Sequence, residues 1–119
     1  MKYRVEFYRK DNGKFPVVDF IDGLSAKQRD KIFRAFQILE KFGSELNFPE
    51  VLAIKGKKYQ GLWELRIGLA TDIFRIFYYI AGGYTAVMLH AIIKKQDKTP
   101  ARELDIALKR MEEHKEATQ

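Results

Sequence analysis

The chain contains no cysteine, so disulfides, thiolate nucleophiles and cysteine-ligated metal sites are excluded. It has two histidines, His90 and His114, in unrelated contexts, which argues against a metal pair or a two-histidine acid–base set. No apolar run reaches the roughly 18 residues of a membrane span. The N-terminal "MKYRVEFYRK" alternates charge with apolar residues and lacks the continuous apolar stretch of a secretion signal. No HExxH, P-loop or GxGxxG spacing occurs. Repeats, linkers and low-complexity blocks are missing too. These absences lead to the expectation of a single domain over residues 1–119, cytoplasmic, with no membrane, metal or cofactor.

What is present is aromatic and basic. Nine Phe and six Tyr supply a ring-rich core, and 22 Lys plus Arg against 16 Asp plus Glu give a net charge of +6. That balance favours acidic partners such as nucleic acid.

Tyr3, Val5 and Phe7 recur with period two, the pattern of a half-buried strand. Asn12-Gly13 marks a turn. Val17, Phe20, Ile21 and Leu24 then recur at helical spacing after Pro16, a residue suited to a first helical position. Ser25 and Gln28 form a capping box for a second helix, whose stripe reads Ile32, Phe33, Phe36, Leu39 and Phe42, with Gly43 as its stop. "VLAIKG" is a short strand. In "LWELRIG", Trp63, Leu65 and Ile67 fall on one face and Glu64 and Arg66 on the other. "DIFRIFYYI" and "YTAVMLHAII" flank Gly82-Gly83, a hairpin turn. The last strand is apolar on both faces, which predicts a place deep in the sheet with helices on one side. Thr99 is expected to cap a final helix with Pro100 in its first turn and Leu104, Ala107, Leu108 and Met111 along its stripe. The tail that follows is polar and expected to fray. The fold class is therefore α+β: an antiparallel sheet, an N-terminal helical hairpin and a C-terminal helix.

Arg75 interrupts an apolar strand, and a guanidinium there is costly unless it is satisfied. Either a carboxylate such as Glu64 pairs with it, or the face it points to is a cleft. Arg66, Arg75 and Lys95 on neighbouring strands suit convergence on phosphate, which the planar arginine fork grips with two donors. Lys57, Lys58, Lys94 and Lys98 are either solvated surface charge or backbone contacts for RNA. Alternation puts Tyr79 on the Arg75 face, where its ring is a candidate for base stacking, and Tyr78 on the other. The lone strand histidine, His90, fits a satisfied core residue better than a catalyst. His114 falls in the tail and is expected to be exposed.

"GLWELRI", "FRIFYYI" and "MLHAIIKKQDKTPARELDIALKRM" together resemble the HigB branch of the RelE/ParE-like toxins of type II toxin–antitoxin modules, with their phage-derived relatives. "KKQDKTP" departs slightly from the relatives' "KKTQKTP"-like form but keeps the lysines and Thr-Pro. The resemblance implies a RelE-like, microbial RNase-like fold and ribosome-dependent cleavage of messenger RNA. It further implies a cognate HigA-like helix-turn-helix antitoxin in a heteromeric complex. By motif, Arg66, Arg75 and Lys95 become the catalytic cations. Glu64 is a candidate base or a holder of the arginines. Cleavage through the RNA 2′-OH needs charge stabilisation and two proton transfers but no metal. A ParE-like poison without RNA cleavage, or a nucleic-acid-binding module, remains compatible with the same scaffold.

Overall fold

A computed structural model describes residues 2–47, 50–94 and 99–118. Strand β1 (Arg4–Phe7) leads into helices α1 (Pro16–Asp22) and α2 (Ala26–Phe42). Strands β2 (Val51–Ala53), β3 (Trp63–Leu69), β4 (Asp72–Ala81) and β5 (Thr85–Lys94) follow, then helix α3 (Ala101–Ala117). The five strands form one sheet in the order β1-β5-β4-β3-β2.

Local chemistry fixes the element ends. Pro16 occupies the first turn of α1. The Ser25–Gln28 capping box forms in both directions, at 3.2 and 2.9 Å. Gly43 ends α2 at φ 53°, and Gly82 and Gly83 turn the β4–β5 hairpin at φ 61° and 86°, conformations glycine adopts without a Cβ clash.

Two features of the sheet differ from the sequence expectation. β1 pairs with β5 in parallel, so the sheet is mixed rather than antiparallel. The alternation in β1 defines its buried face but carries no direction, which the long-range pairing decides. β5 is also covered by helices on both faces rather than on one, and its two-sided apolarity is the reason. On one side Ile32, Phe36 and Leu39 of α2 meet Leu65, Ile67, Phe74, Ile76 and Met88. On the other, Ala107 and Met111 of α3 meet Phe77, Tyr79, Val87 and Leu89. Each such buried aliphatic side chain contributes roughly 1.5–3 kcal/mol.

The stripe of α2 is narrower than expected. Phe33 and Phe42 lie at its margins, 46% and 41% exposed, while Ile32, Phe36 and Leu39 are buried. Thr99 does not cap α3. Its hydroxyl accepts from Arg75 Nη1 at 3.0 Å, and Pro100 precedes the helix without a side-chain cap. The expected fraying of the C-terminal tail is replaced by helix up to Ala117.

The outer edge of β1 is closed by α2. Tyr3 N–H donates to the Glu40 carbonyl at 3.0 Å, and Val5 N–H to Glu40 Oε2 at 2.9 Å. An open row of strand donors would template pairing with another chain. Glu40→Ala leaves the partly buried Val5 N–H unsatisfied and is expected to lower the unfolding free energy by about 1–2 kcal/mol in urea titration. Glu40→Gln, which keeps the acceptor, is expected to lose less.

Candidate functional site

Among the described residues, the buried charged side chains Glu64 and Arg75 both lie on the α3-facing side of the sheet. β3 and β4 place Arg66 directly opposite Arg75, and Arg75 is in turn opposite Ile92 on β5. Like charges facing each other across a ladder repel. Glu64, two residues before Arg66 and on the same face, resolves this. Its Oε2 accepts from Arg66 Nε at 2.6 Å and lies 3.7 Å from Arg75 Nη1. The exposures of the three side chains separate their roles: 3% for Glu64, 1% for Arg75 and 23% for Arg66. Arg75 is thus the internal ion pair weighed from sequence, a buried anchor with Glu64 on one side and Thr99 on the other. Arg66 is the member that reaches solvent.

Glu64, expected as a base or as a holder of the arginines, has the geometry of a holder, because its Oε2 is shared between two guanidinium groups. Lys94 lies one row beyond Arg75, opposite Ile73, at the end of β5 and partly exposed. Lys95 and Lys98 lie outside the described residues. Lys57 and Lys58 sit in a short 3-10 turn, Lys57–Tyr59, and are exposed. Lys58 is tied to α3 by Asp105 at 3.0 Å, and Tyr59 donates to the same carboxylate at 2.7 Å.

Tyr79 departs from its expected role. Its ring shares the Arg75 face but is closed beneath α3, with its hydroxyl on His114 Nδ1 and Lys115 Nζ 5.5 Å from its centroid. It has no open face for a base. Burial raises its pKa, and Tyr78 on the opposite face is raised further for the same reason. His114 is accordingly half-buried rather than free in a tail.

A cluster that sequence reasoning passed over surrounds His90. The β4–β5 register shifts at Phe77/Tyr78, so Phe77 pairs with His90 and Tyr78 with Met88. This bulge re-aims His90 onto the α3 side, where its ring stacks on Phe77 at 6.2 Å. Nε2 lies 2.7 Å from Glu103 Oε1, and Arg110 Nη1 lies 3.2 Å from Nδ1. The neutral tautomer with its proton on Nε2 satisfies both contacts, donating to the carboxylate and accepting from the guanidinium. Burial lowers the His90 pKa and outweighs the pull of Glu103, and Arg110 pushes the same way. The hydrogen bond to His90 holds Glu103 below the usual carboxylate value. The available signal was the spacing of Glu103, Ala107, Arg110, Met111 and His114, which is one helical face. Its polar members meet the sheet where its apolar members do.

No group of three or more metal-ligating side chains occurs among the described residues. No helix among them is long and apolar enough to cross a membrane. The protein family described as "Phage derived protein Gp49-like (DUF891)" matches residues 19–112. The chain has no match among the curated proteins.

The two imidazoles make stability depend on pH. Burial depresses the folded-state pKa of both His90 and His114 below the ordinary value of 6.5. Below that value the unfolded chain therefore binds protons that the folded chain refuses. Stability is full above it and falls as pH drops through the depressed values. Urea titrations at about pH 7.5 and about pH 5.5 are expected to give a lower unfolding free energy at the acidic value, with a slope bounded by about 1.4 kcal/mol per pH unit for each group. The double variant His90→Gln, His114→Gln is expected to flatten that slope.

Proposed function

The chain belongs to the Gp49-like family of phage-derived, toxin-like proteins, and on that premise we propose that it is the toxin of a two-component module. In this reading it is a metal-independent endoribonuclease with a RelE-like fold that cuts messenger RNA on the ribosome in the cytoplasm. A cognate HigA-like helix-turn-helix antitoxin silences it in a heteromeric complex.

The observation that carries this reading is the Arg66 guanidinium. It reaches solvent, yet its Nε is fixed on a buried carboxylate that Arg75 also engages. A cation held in place before substrate arrives stabilises developing phosphate charge without reorganisation. The remaining donors of its fork suit two non-bridging phosphate oxygens. Lys94 at the end of β5, and Lys57 and Lys58 in the turn before β3, are the cations this reading assigns to the RNA backbone. Lys95 and Lys98 enter on the resemblance alone, Lys95 as proton donor and Lys98 as an RNA contact.

The reaction needs little covalent machinery from the protein. The RNA 2′ oxygen forms a bond to phosphorus and loses its proton. The bond to the 5′ oxygen breaks, and that oxygen takes up a proton. The products are a 2′,3′-cyclic phosphate and a 5′-hydroxyl. Glu64 and Arg75 act here as positioning residues.

A second reading is a poison of the ParE-like kind that binds its target without cutting RNA. It is favoured by one observation: the Glu64 carboxylate is engaged by arginines rather than open to a 2′-OH.

Mapping of messenger RNA ends on translating ribosomes separates the two. Arg66→Ala is expected to slow cleavage by roughly 2–4 kcal/mol of lost charge stabilisation while thermal unfolding stays close to that of the parent chain. Glu64→Gln is expected to lose rate with an unchanged pH profile, since it loosens Arg66 without removing a titrating base. A substrate with hydrogen in place of the 2′-OH is expected to resist cutting. Products bearing 5′-phosphate, or no cutting by the parent chain, would turn the assignment to the non-cleaving poison.

A further inference from the structure

Arg110 has a property that its contact with His90 does not account for. It is a half-buried arginine that forms no ion pair with a carboxylate among the described residues. Its Nη1 donates to the Leu89 carbonyl at 2.9 Å and to His90 Nδ1 at 3.2 Å, and its guanidinium carbon sits 5.7 Å from the centroid of the Tyr8 ring. The Nε and Nη2 hydrogens take part in none of these contacts. Burial lowers the Arg110 pKa and outweighs the opposite pull of Tyr8 and of Glu113, which faces the same cleft.

Arg110 lines a cleft of about 430 Å³. One wall is the face of α3 that carries Lys109, Arg110 and Glu113. The other is the turn after β1, which brings Lys10 and Asp11. That turn is internally braced. Lys10 N–H donates to the Lys14 carbonyl at 2.8 Å, Gly13 N–H to the Lys10 carbonyl at 2.9 Å, and Lys14 N–H to Asn12 Oδ1 at 3.0 Å. Gly13, at φ 89°, adopts a backbone that other residues rarely take. The cleft is therefore framed by a helix and a fixed turn. β5 and β4 separate its strand, β1, from the strand of Arg66.

Three cations and two carboxylates in one cleft do not suit a bare anion, which the carboxylates would repel. They suit a molecule with an anionic end and an end rich in N–H donors. We propose that this cleft is a nucleotide subsite: Arg110, flanked by Lys10 and Lys109, takes the phosphate, and Asp11 and Glu113 take the base. Among the bases guanine fits best, because its ring N1–H and amino N2–H₂ present adjacent donors to a carboxylate. Adenine and cytosine present an unprotonated ring nitrogen beside the amino group, and uracil flanks its single N–H with two carbonyls. Each of these sets an acceptor against a carboxylate. The subsite goes beyond the cleavage reading and does not depend on it, since binding at Arg110 requires no chemistry at Arg66.

The test is titration of 5′-GMP, 5′-AMP, 5′-CMP, 5′-UMP and inorganic phosphate into the purified chain at low salt, followed by amide chemical shifts and calorimetry. 5′-GMP is expected to bind with a Kd of about 1 mM or tighter and to move the resonances of Tyr8, Asp11 and Arg110. The other nucleotides and phosphate are expected to bind more weakly. The double variant Lys10→Ala, Lys109→Ala removes two exposed cations, and is expected to weaken 5′-GMP binding about tenfold with unfolding unchanged. Asp11→Asn and Glu113→Gln, singly, are expected to narrow the preference for 5′-GMP over 5′-AMP. Absence of binding, shifts confined to another face, or insensitivity to the lysine pair would overturn the proposal. Inorganic phosphate matching 5′-GMP would also overturn it, by making the cleft a free-anion site. None of these readouts uses RNA cleavage, so the subsite and the ribonuclease reading stand or fall separately.

Discussion

The constraint on which the site depends is the facing of two arginines across adjacent strands. Arg66 and Arg75 are direct partners in the β3–β4 ladder, so their guanidinium groups leave the sheet on the same side. A lone buried guanidinium would cost several kcal/mol, and two together would oppose strand pairing. Glu64 lifts the penalty because the pleat brings residue i−2 to the same face. Its near-complete burial strengthens its attraction to both arginines, and removal of that one carboxylate would take away the counter-charge they share. Arg75 further depends on Thr99, which lies at the start of α3 rather than in the sheet. The charged centre and the last helix are therefore assembled together.

Helix α3 is held by polar as well as apolar contacts. Ala107 and Met111 contribute burial, while Glu103, Arg110 and His114 each find a partner on the sheet or beneath it. Asp105 ties it to the turn Lys57–Tyr59. Directional contacts of this kind define where the helix sits along the sheet, which burial alone would leave loosely specified. The sheet order leaves Arg66, fixed by Glu64, on its β3 side and the Arg110 cleft on its β1 side.

Much of the architecture was legible in the residues themselves. The Ser25–Gln28 box, Pro16, Gly43 and the paired glycines at 82 and 83 act through the backbone within a few positions, so their consequences do not wait for the rest of the fold. The alternation of β3 separated Leu65 and Ile67 from Glu64 and Arg66, and the interruption of β4 by Arg75 announced either a pair or a cleft. The family motifs between residues 61 and 111 added a toxin-like assignment that the family match across residues 19–112 supports.

The remainder required long-range contacts. The parallel direction of β1 depends on which edge of β5 is free once β4 has paired with the other, and a period-two pattern reads the same in both directions. The narrow stripe of α2 depends on the tilt at which it meets the sheet, which left Phe33 and Phe42 at the margin. A one-residue bulge reversed the parity of β5 at His90, and no alternation count taken along the strand reveals a register set by its neighbour. The closing of Tyr79 under α3 and the capture of Thr99 by Arg75 follow from where that helix lands. The sequence by itself determined the elements, their ends and their apolar faces, because these arise from interactions a few residues apart. Only the tertiary structure decided which charges share a carboxylate and which arginine reaches solvent, because those depend on strand pairing and helix placement, as Glu64 meets Arg75 on the neighbouring strand and Arg75 meets Thr99 across 24 positions.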